Sequence, residues 1–299
     1  MDVILLVGAT GLLGSHIAER LAERSAEFRA LVRPTTDASA LERSGVSITR
    51  GDLREPKSLL PAVAGVATVI STANVIARAL GGETDLTIRD VDELGNANLI
   101  AAAEQAGVER FVFLSGQEWI LASRTPFALA KLATEERLRS SAMREVIVRP
   151  DMFQEVWLSS LVQFDWPNRS VTIFGKGEAR HRYVGVEDVA QAAVEWALAP
   201  DPPADVAFGG PEALTRNQAA DAFEKALGTP IKRRHVPRLA LRLGSTALRR
   251  IRPPLASVMG QALSADLRDS PADDAPLQAL GMKPRAVSDY IAEAAGRGK

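Results

Sequence analysis

The sequence contains no cysteine, three histidines and few aromatic residues. The absence of cysteine excludes disulfide bonds, thiolate catalysis and thiolate metal sites. With so little imidazole as well, we expect no metal centre, zinc included. Aromatic residues make up only 5% of the chain, but 46% of it is hydrophobic, which is enough to bury a sizeable core.

Long apolar runs and a strong net charge are also missing. No apolar run reaches the roughly 18 residues of a spanning helix, and the N-terminus lacks the basic segment and cleavage site of a secretory signal. The formal net charge is −1, so the overall charge gives no reason to expect nucleic acid as a partner. We therefore expect a cytoplasmic protein without a membrane span.

Short apolar runs alternate with helical patterns through the first half of the chain. Strands are predicted over residues 3–7, 28–32, 46–49, 66–71, 110–114 and 145–148, and helices over residues 12–21, 86–106 and 127–139. Repeated β-then-α segments predict a parallel sheet covered by helices on both faces. The expected fold class is therefore α/β, with a doubly wound Rossmann sheet.

The pattern becomes irregular after residue 150. Short strands near residues 171–174 and 207, and helices near residues 186–198 and 215–227, follow without a long Gly/Ser linker. We expect a Rossmann domain over residues 1–150 and a smaller α+β substrate lobe over residues 151–299, packed on it as one unit.

A glycine-rich turn follows the first predicted strand. Gly8 permits a tight turn, Gly11 lets the backbone approach a pyrophosphate, and Gly14 lets the next helix pack closely on the sheet. Glycines also occur in ordinary turns, but the strand, turn and helix together predict an NAD(P) site facing the helix N-terminus. The predicted cofactor contacts in this turn are Gly8, Thr10, Gly11, Leu12, Leu13 and Gly14.

The end of the second strand indicates which dinucleotide is bound. An NAD site normally has Asp or Glu there to hold the ribose hydroxyls, and this sequence has neither. Arg33 occupies the position instead and can pair with a 2′-phosphate, assisted by Thr35 or Thr36. NADP(H) is therefore expected rather than NAD(H), unless Arg33 is only a solvated loop residue.

Further motifs resemble the NmrA-like atypical short-chain dehydrogenase/reductases, near the isoflavone-reductase-like enzymes. Besides the glycine turn and Arg33, the resemblance rests on residues 51–53, 71–73, 113–115, 131, 149–153 and 183–190. It implies that Asp52 and Leu53 contact the adenine and that Thr72 and Ala73 lie along the ribose and phosphates. Asp52 is alternatively a turn residue that caps its own backbone. The remaining predicted cofactor contacts are Ser115, Lys131, Pro150 and Phe153.

The catalytic pair of the larger superfamily is incomplete. Its Tyr-x-x-x-Lys motif is represented here by Phe127 and Lys131, and Phe127 has no hydroxyl to act as an acid. We predict that Lys131 is the catalytic residue, orienting the cofactor or relaying a proton. The alternative is a solvated lysine among the charged residues of its helix.

Few other residues are candidates for chemistry or for substrate contact. Ser115, Tyr183 and His181 are possible proton donors, although Ser115 can equally cap a turn. Trp119, Phe153, Trp157 and His181 are predicted to contact the substrate, although aromatic residues often belong to the core. The predicted substrate is small and hydrophobic, of quinone, enone or imine type.

Three functions are compatible with these residues. The first is an NADP(H)-dependent reductase of such a substrate, assisted by Lys131. The second is a non-catalytic NADP(H)-sensing regulator, and the third is an assembly or scaffold protein stabilised by the cofactor, both as in some NmrA-like proteins. The missing tyrosine favours the last two, whereas Lys131 and the aromatic residues favour the enzyme, which we prefer.

Residues 232–252 form a basic segment without an acidic residue. An anionic partner could dock on it, with Leu239, Leu243 and Leu248 supplying the apolar face. The alternative is a solvated helix face whose charge is balanced by acids further along the chain. The basic residues are Lys232, Arg233, Arg234, Arg238, Arg242, Arg249, Arg250 and Arg252, and the balancing acids are Asp266, Asp269, Asp273 and Asp274.

Overall fold

A computed structural model describes residues 3–80, 82 and 86–297. The strands are β1 (Val3–Val7), β2 (Phe28–Val32), β3 (Ser47–Arg50), β4 (Val66–Ser71), β5 (Arg110–Leu114), β6 (Arg144–Pro150), β7 (Phe164–Asp165), β8 (Ser170–Phe174), β9 (Arg180–Arg182), β10 (Asp205–Phe208), β11 (Ala213–Thr215) and β12 (Lys232–Val236). The helices are α1 (Leu12–Glu23), α2 (Ser39–Arg43), α3 (Pro56–Val63), α4 (Ile76–Leu80), α5 (Leu94–Ala106), α6 (Glu118–Ala122), α7 (Pro126–Arg139), α8 (Gln154–Trp157), α9 (Val186–Leu198), α10 (Arg216–Leu227), α11 (Arg238–Ala247), α12 (Pro253–Leu267), α13 (Ala275–Ala279) and α14 (Val287–Arg297). A π-helical turn, Arg89–Glu93, precedes α5, and a 3-10 turn, Ser160–Val162, follows α8.

The central sheet has seven parallel strands in the order β10-β6-β5-β4-β1-β2-β3. The strand order reverses at β1, where Val7 lies opposite Leu31 of β2 on one side and Ser71 of β4 on the other. Ligands of doubly wound sheets bind in the crevice beyond the carboxyl ends of the strands at this reversal. The predicted Rossmann fold is thus confirmed.

Helices cover both faces of the sheet. On one face, Ile17 and Leu21 of α1 are fully buried in the same cluster as Trp196 of α9. On the other face, Leu59 of α3 and Leu99 of α5 are fully buried against the sheet. Burying side chains of this size contributes about 1.5–3 kcal/mol each, so the two helical layers fix the sheet edge that carries the crevice.

Residues after 150 contribute both to the Rossmann layer, meaning the central sheet with its helices, and to a smaller lobe. Helix α9 and strand β10 complete the Rossmann layer, since β10 pairs with β6. The rest builds a lobe with two small sheets, β12-β8-β7 and β11-β9, around a core that includes Phe164 and Phe223. The division of the chain at residue 150 stays a prediction, but residues after 150 belong to the Rossmann layer as well as to the lobe.

The helix predicted from residue 86 has an irregular start. It is helical from residue 88, its first turn is the π-helical segment, and Gly107 ends it with a φ of +74°. π-Helical turns are rare and are frequent at functional sites. Within the described ranges, no helix combines the length and the apolar character needed to cross a membrane.

Candidate active site

A cavity of about 570 Å³ lies at the carboxyl edge of the sheet. One end is formed by the glycine turn and by the residues that follow β2, β3 and β4. The other end is formed by α7, α8, α12 and the residues that follow β5 and β6. The predicted cofactor contacts line this cavity, and of the two threonines offered beside Arg33, Thr36 lines it and Thr35 does not.

The glycine turn brings the N-terminus of α1 against the end of β1. Gly8 has a φ of +91°, in the region that favours glycine. A Cβ atom on Gly14 would lie 2.0 Å from the carbonyl oxygen of Gly8, so the contact requires glycine. No side chain caps the first turn of α1, which leaves its N–H groups available to an anion.

Two arginines line the cavity beyond the glycine turn. Arg33 follows β2, and Arg78 lies on α4, where its Nη2 is 3.5 Å from the hydroxyl of Thr10. Burial and the charge of Arg78 lower the pKa of Arg33, and Asp52 opposes this. Neither arginine forms an ion pair with an acidic residue of the described chain, so the two charges favour a bound anion. The sequence around Arg78 offered no motif that would have singled it out.

Asp52 and Thr72 face the cavity, but their polar atoms already have partners. The Asp52 carboxylate accepts hydrogen bonds from Nε and Nη2 of Arg54 at 3.1 and 2.8 Å, and these bonds lower the pKa of Asp52. The Thr72 hydroxyl donates to the Val7 carbonyl oxygen at 3.1 Å. Their contacts with adenine, ribose and phosphate stay predictions.

Lys131 is buried at the opposite end, with 3% of its surface exposed. Its Nζ donates to the Leu114 carbonyl oxygen at 2.6 Å and lies 4.5 and 5.3 Å from the ring centroids of Phe113 and Phe127. Burial lowers the pKa of Lys131 to about 8, against the attraction of nearby carboxylates. Lys131 is therefore not a solvated helix residue, and its proton is exchangeable near neutral pH.

Asp92, in the π-helical turn, is the buried carboxylate whose charge acts most on Lys131. Its Oδ2 accepts the Val75 N–H at 3.2 Å, whereas its Oδ1 has no partner among the described residues. Burial raises the pKa of Asp92 to about 7, and Lys131 opposes this. Asp92 was not predicted from the sequence, although helical spacing from Ile88 to Asn96 puts it on the buried face, where a carboxylate is unusual.

Ser115 belongs to a buried ionic network beside the cavity. Its hydroxyl donates to Glu135, whose two oxygens also accept hydrogen bonds from Nη1 and Nη2 of Arg149 at 2.7 and 2.8 Å. Arg149 also binds Asp205, so the network joins α7, β6 and β10. With its partners on every side, Glu135 is paired as a buried charge must be. The Ser115 hydroxyl is already donated within this network.

Three of the residues predicted as substrate contacts or proton donors lie away from the cavity. Among the described residues that line it, the structure does not place Trp119, His181 or Tyr183. Trp119 Nε1 donates to Asp151 Oδ1 at 2.9 Å, and His181 Nε2 lies 2.9 Å from the Ala265 carbonyl oxygen. Tyr183 is fully buried, and burial raises its pKa to about 12. The predicted substrate and proton-transfer roles of these residues stay predictions, and all three side chains are buried in the lobe.

The predicted substrate end of the cavity is mostly apolar. Phe153 and Trp157 line it as predicted, together with Ile120, Phe127, Val156, Leu161 and Val258. Gln261 of α12 also lines it, is 7% exposed, and its amide nitrogen has no hydrogen-bond partner among the described residues. Buried amides normally have partners, so an unpaired one in a cavity wall indicates a site for a polar atom of a ligand.

Comparisons with known proteins agree with this site. An NAD(P)H azoreductase of Xenophilus azovorans is 30% identical over 236 residues, covering 77% of this chain and 76% of its own. Photosystem II assembly factor Ycf39 of Synechocystis sp. is 31% identical over 191 residues, covering 64% and 57% of the two chains. The triphenylmethane reductase of Citrobacter sp., crystallised with NADP(H), has a TM-score of 0.76 at 20% identity and covers 98% of this chain and 99% of its own.

The family match includes residues from both ends of the cavity, although not those of α12. Residues 8–200 match a family described as NAD(P)H-binding, and this segment contains the glycine turn, Arg33, Asp92 and Lys131. The match confirms the cofactor class and the resemblance inferred from the motifs. The chain belongs to the NAD(P)H-binding family.

Proposed function

We propose that the protein is an NADPH-dependent reductase of a small hydrophobic acceptor of quinone, enone or imine type. The observation that carries the proposal is that one cavity connects the glycine turn and Arg33 to Lys131 and an apolar wall. At the coarser level of an NAD(P)H-dependent oxidoreductase, the prediction is confirmed by the family and by the azoreductase relative. The acceptor class and the roles of individual residues belong to the proposal.

The residues at the outer end of the cavity fit NADPH. Bound NADPH supplies a hydride. The free N–H groups of α1 would hold its pyrophosphate, and Arg33 with Arg78 would bind its 2′-phosphate by charge-assisted hydrogen bonds. The residues directly after β2, numbers 33–36, include no carboxylate to hold the hydroxyls of NADH or to repel the additional phosphate.

The proton for the reduced acceptor is assigned to Lys131. Hydride addition to a C=O, C=C or C=N bond requires one proton, and Phe127 has no hydroxyl to supply it. Lys131 lines the cavity with a pKa lowered to about 8, close to the working pH that favours general acid catalysis. The charge of Asp92 favours the protonated amine of Lys131.

NADPH oxidation against a panel of quinones, enones, imines and azo compounds tests the proposal. We expect turnover with part of the panel, and a decrease in kcat of at least about 100-fold in Lys131→Met, the usual size of a general acid contribution. NADPH affinity should change little in this variant. Lys225→Met, which changes an exposed lysine of α10, should keep the parent kcat.

A second function is favoured by a specific pair of observations. Phe127 replaces the acid of the superfamily, and an assembly factor is among the relatives, although the match covers 57% of that relative. In this role, NADPH binding would change a surface that contacts another protein, and no hydride would be transferred. NADPH binding of micromolar or better affinity combined with no turnover across the panel would contradict the reductase and support this alternative.

A further inference from the structure

The solvent face of α11 and the loop after it carry apolar and basic side chains together. Leu239, Leu243 and Ile251 are 66, 60 and 77% exposed, which is unusual for large aliphatic residues. Exposed arginines flank them in the sequence. We call the set of Leu239, Arg242, Leu243, Arg249, Arg250, Ile251 and Arg252 the α11 surface.

In the described ranges, acidic residues pair with the first part of the basic segment, and of the four acids expected to balance it only Asp266 is among them. The segment begins as strand β12, parallel to β8, rather than as a helix face. Arg233 pairs with Asp221 and Glu224, and Arg238 pairs with Asp266. In contrast, no guanidinium group of the α11 surface has an ion pair or hydrogen bond with any residue in the described ranges.

The packing of α11 fixes which side faces solvent. Leu241, on the opposite side, is 1% exposed and packs with Phe174 and Ala262. A Cβ atom on Gly244 would lie 2.6 Å from the sulfur of Met259, so α11 and α12 are in close contact there. Because this contact holds the helix by its inner face, Leu239 and Leu243 cannot turn inward without displacing α12.

We propose that the α11 surface docks on an anionic lipid bilayer. Aliphatic side chains interleaved with arginines, on a helix anchored by its other face, match the chemistry of a helix that lies in the bilayer interface. A second copy of the chain fits poorly, because a two-fold contact would bring four unpaired arginines against their equivalents. The surface has no aromatic side chain for stacking on nucleic acid bases.

One helix, α12, contacts both α11 and the cavity. Helix α12 contacts α11 through Met259 and lines the cavity through Val258 and Gln261. The inference does not depend on the proposed reductase activity, because it concerns binding alone.

Vesicle flotation of the full chain tests this inference. We expect binding to vesicles of phosphatidylcholine and phosphatidylglycerol at 7:3 and at least tenfold weaker binding to phosphatidylcholine alone. Arg242→Glu/Arg249→Glu should reduce binding at least tenfold, and so should Leu239→Ser/Leu243→Ser, because charge and apolar insertion both contribute. High salt should weaken binding, since these charges are exposed.

The matched control is Arg43→Glu/Arg89→Glu, which makes the same change in net charge at exposed sites elsewhere. It should bind the anionic vesicles like the parent, and NADPH affinity should be unchanged in every variant, which shows that the fold is retained. Equal losses in control and test variants would overturn the proposal. Absence of vesicle binding would also overturn it, and binding to polyglutamate in its place would indicate an acidic protein partner.

Discussion

The two ends of the cavity are built in different ways. At the cofactor end, main-chain N–H groups would form the proposed pyrophosphate contacts, because Gly8 and Gly14 bring a helix N-terminus to the end of β1. At the other end, the proposed chemistry depends on buried side chains, Lys131 and Asp92, and on Gln261 from the last part of the chain. The glycine turn of the first end requires a particular backbone shape, to which Arg33 and Arg78 add charge, whereas the second end requires buried charges.

This difference explains why the two ends respond differently to substitution. A main-chain anion site is removed only by changes that move the backbone, so its weak points are the glycines. A buried ionisable pair is sensitive to a change of a single charge, because each member stabilises the charged form of the other. Variants at the two ends should therefore separate cofactor affinity from turnover.

Gly14→Ala should give the largest effect. Its Cβ atom would lie 2.0 Å from the Gly8 carbonyl oxygen, so α1 must move away from β1. We expect the NADPH dissociation constant, measured by calorimetry, to rise at least about 100-fold, or ~2.7 kcal/mol. Gly296→Ala in α14, where the added atom meets nothing within 4 Å, is the control and should keep the parent affinity. Parent-like NADPH binding by Gly14→Ala would show that the turn does not hold the phosphates.

Arg33→Asp should sharpen the cofactor end by separating two dinucleotides. Loss of a guanidinium and gain of a carboxylate should weaken NADPH at least tenfold, or ~1.4 kcal/mol, and leave NADH nearly unchanged. Titration calorimetry with both nucleotides measures this, with Arg234→Asp on the exposed side of β12 as the control. Equal affinities of the parent protein for NADPH and NADH would remove the basis of the Arg33 assignment.

The cofactor end was predictable from the sequence because its determinants are local. Gly8, Gly11 and Gly14 occur within seven residues, and the short apolar runs define the parallel sheet that presents them. Arg33 could be predicted as well, since the end of β2 has a fixed relation to this turn. Arg78, on a separate helix, was not predicted, because no motif connects it to the turn.

The catalytic end was less predictable because its contacts join distant segments. Trp119 and Trp157 had equal claims as wall residues, and only the packing places Trp157 in the cavity wall and Trp119 on Asp151. Gln261 is brought to the cavity by α12, which no motif connects to the Rossmann layer. The same limit applies to Leu239 and Leu243. Sequence periodicity predicts that they share a helix face, but it does not predict whether another element covers that face.

Asp92→Asn probes the charge pair of the catalytic end. Asp92 raises the pKa of Lys131, so the amide should lower that pKa below about 8 and move the alkaline decline of kcat/KM to lower pH. We expect kcat/KM to fall about fivefold at pH 8, or ~1 kcal/mol, and to approach the parent value at pH 6. NADPH affinity should be retained.

Stability provides an independent readout of the same carboxyl group. The pKa of Asp92 in the folded protein is raised to about 7 from its ordinary value of 3.8, so the parent protein should lose stability as the pH rises through this interval. Asp92→Asn should not show that loss, whereas Asp289→Asn on the exposed surface of α14 should behave like the parent. An unchanged pH–rate profile in Asp92→Asn would contradict the pairing with Lys131.

Gln261→Leu should have the smallest effect, and it should raise KM for the acceptor without lowering the stability of the free protein. If the unpaired amide binds a polar atom of the acceptor, its loss should raise KM for that acceptor about threefold, or ~0.6 kcal/mol, without changing NADPH affinity. The free protein should become no less stable, because leucine removes a buried amide nitrogen that has no partner. Gln105→Leu, at an exposed position of α5, should change neither KM nor the melting temperature. A lower melting temperature with an unchanged KM would make Gln261 a packing residue, and the charge pair alone would then distinguish the catalytic end from the cofactor end.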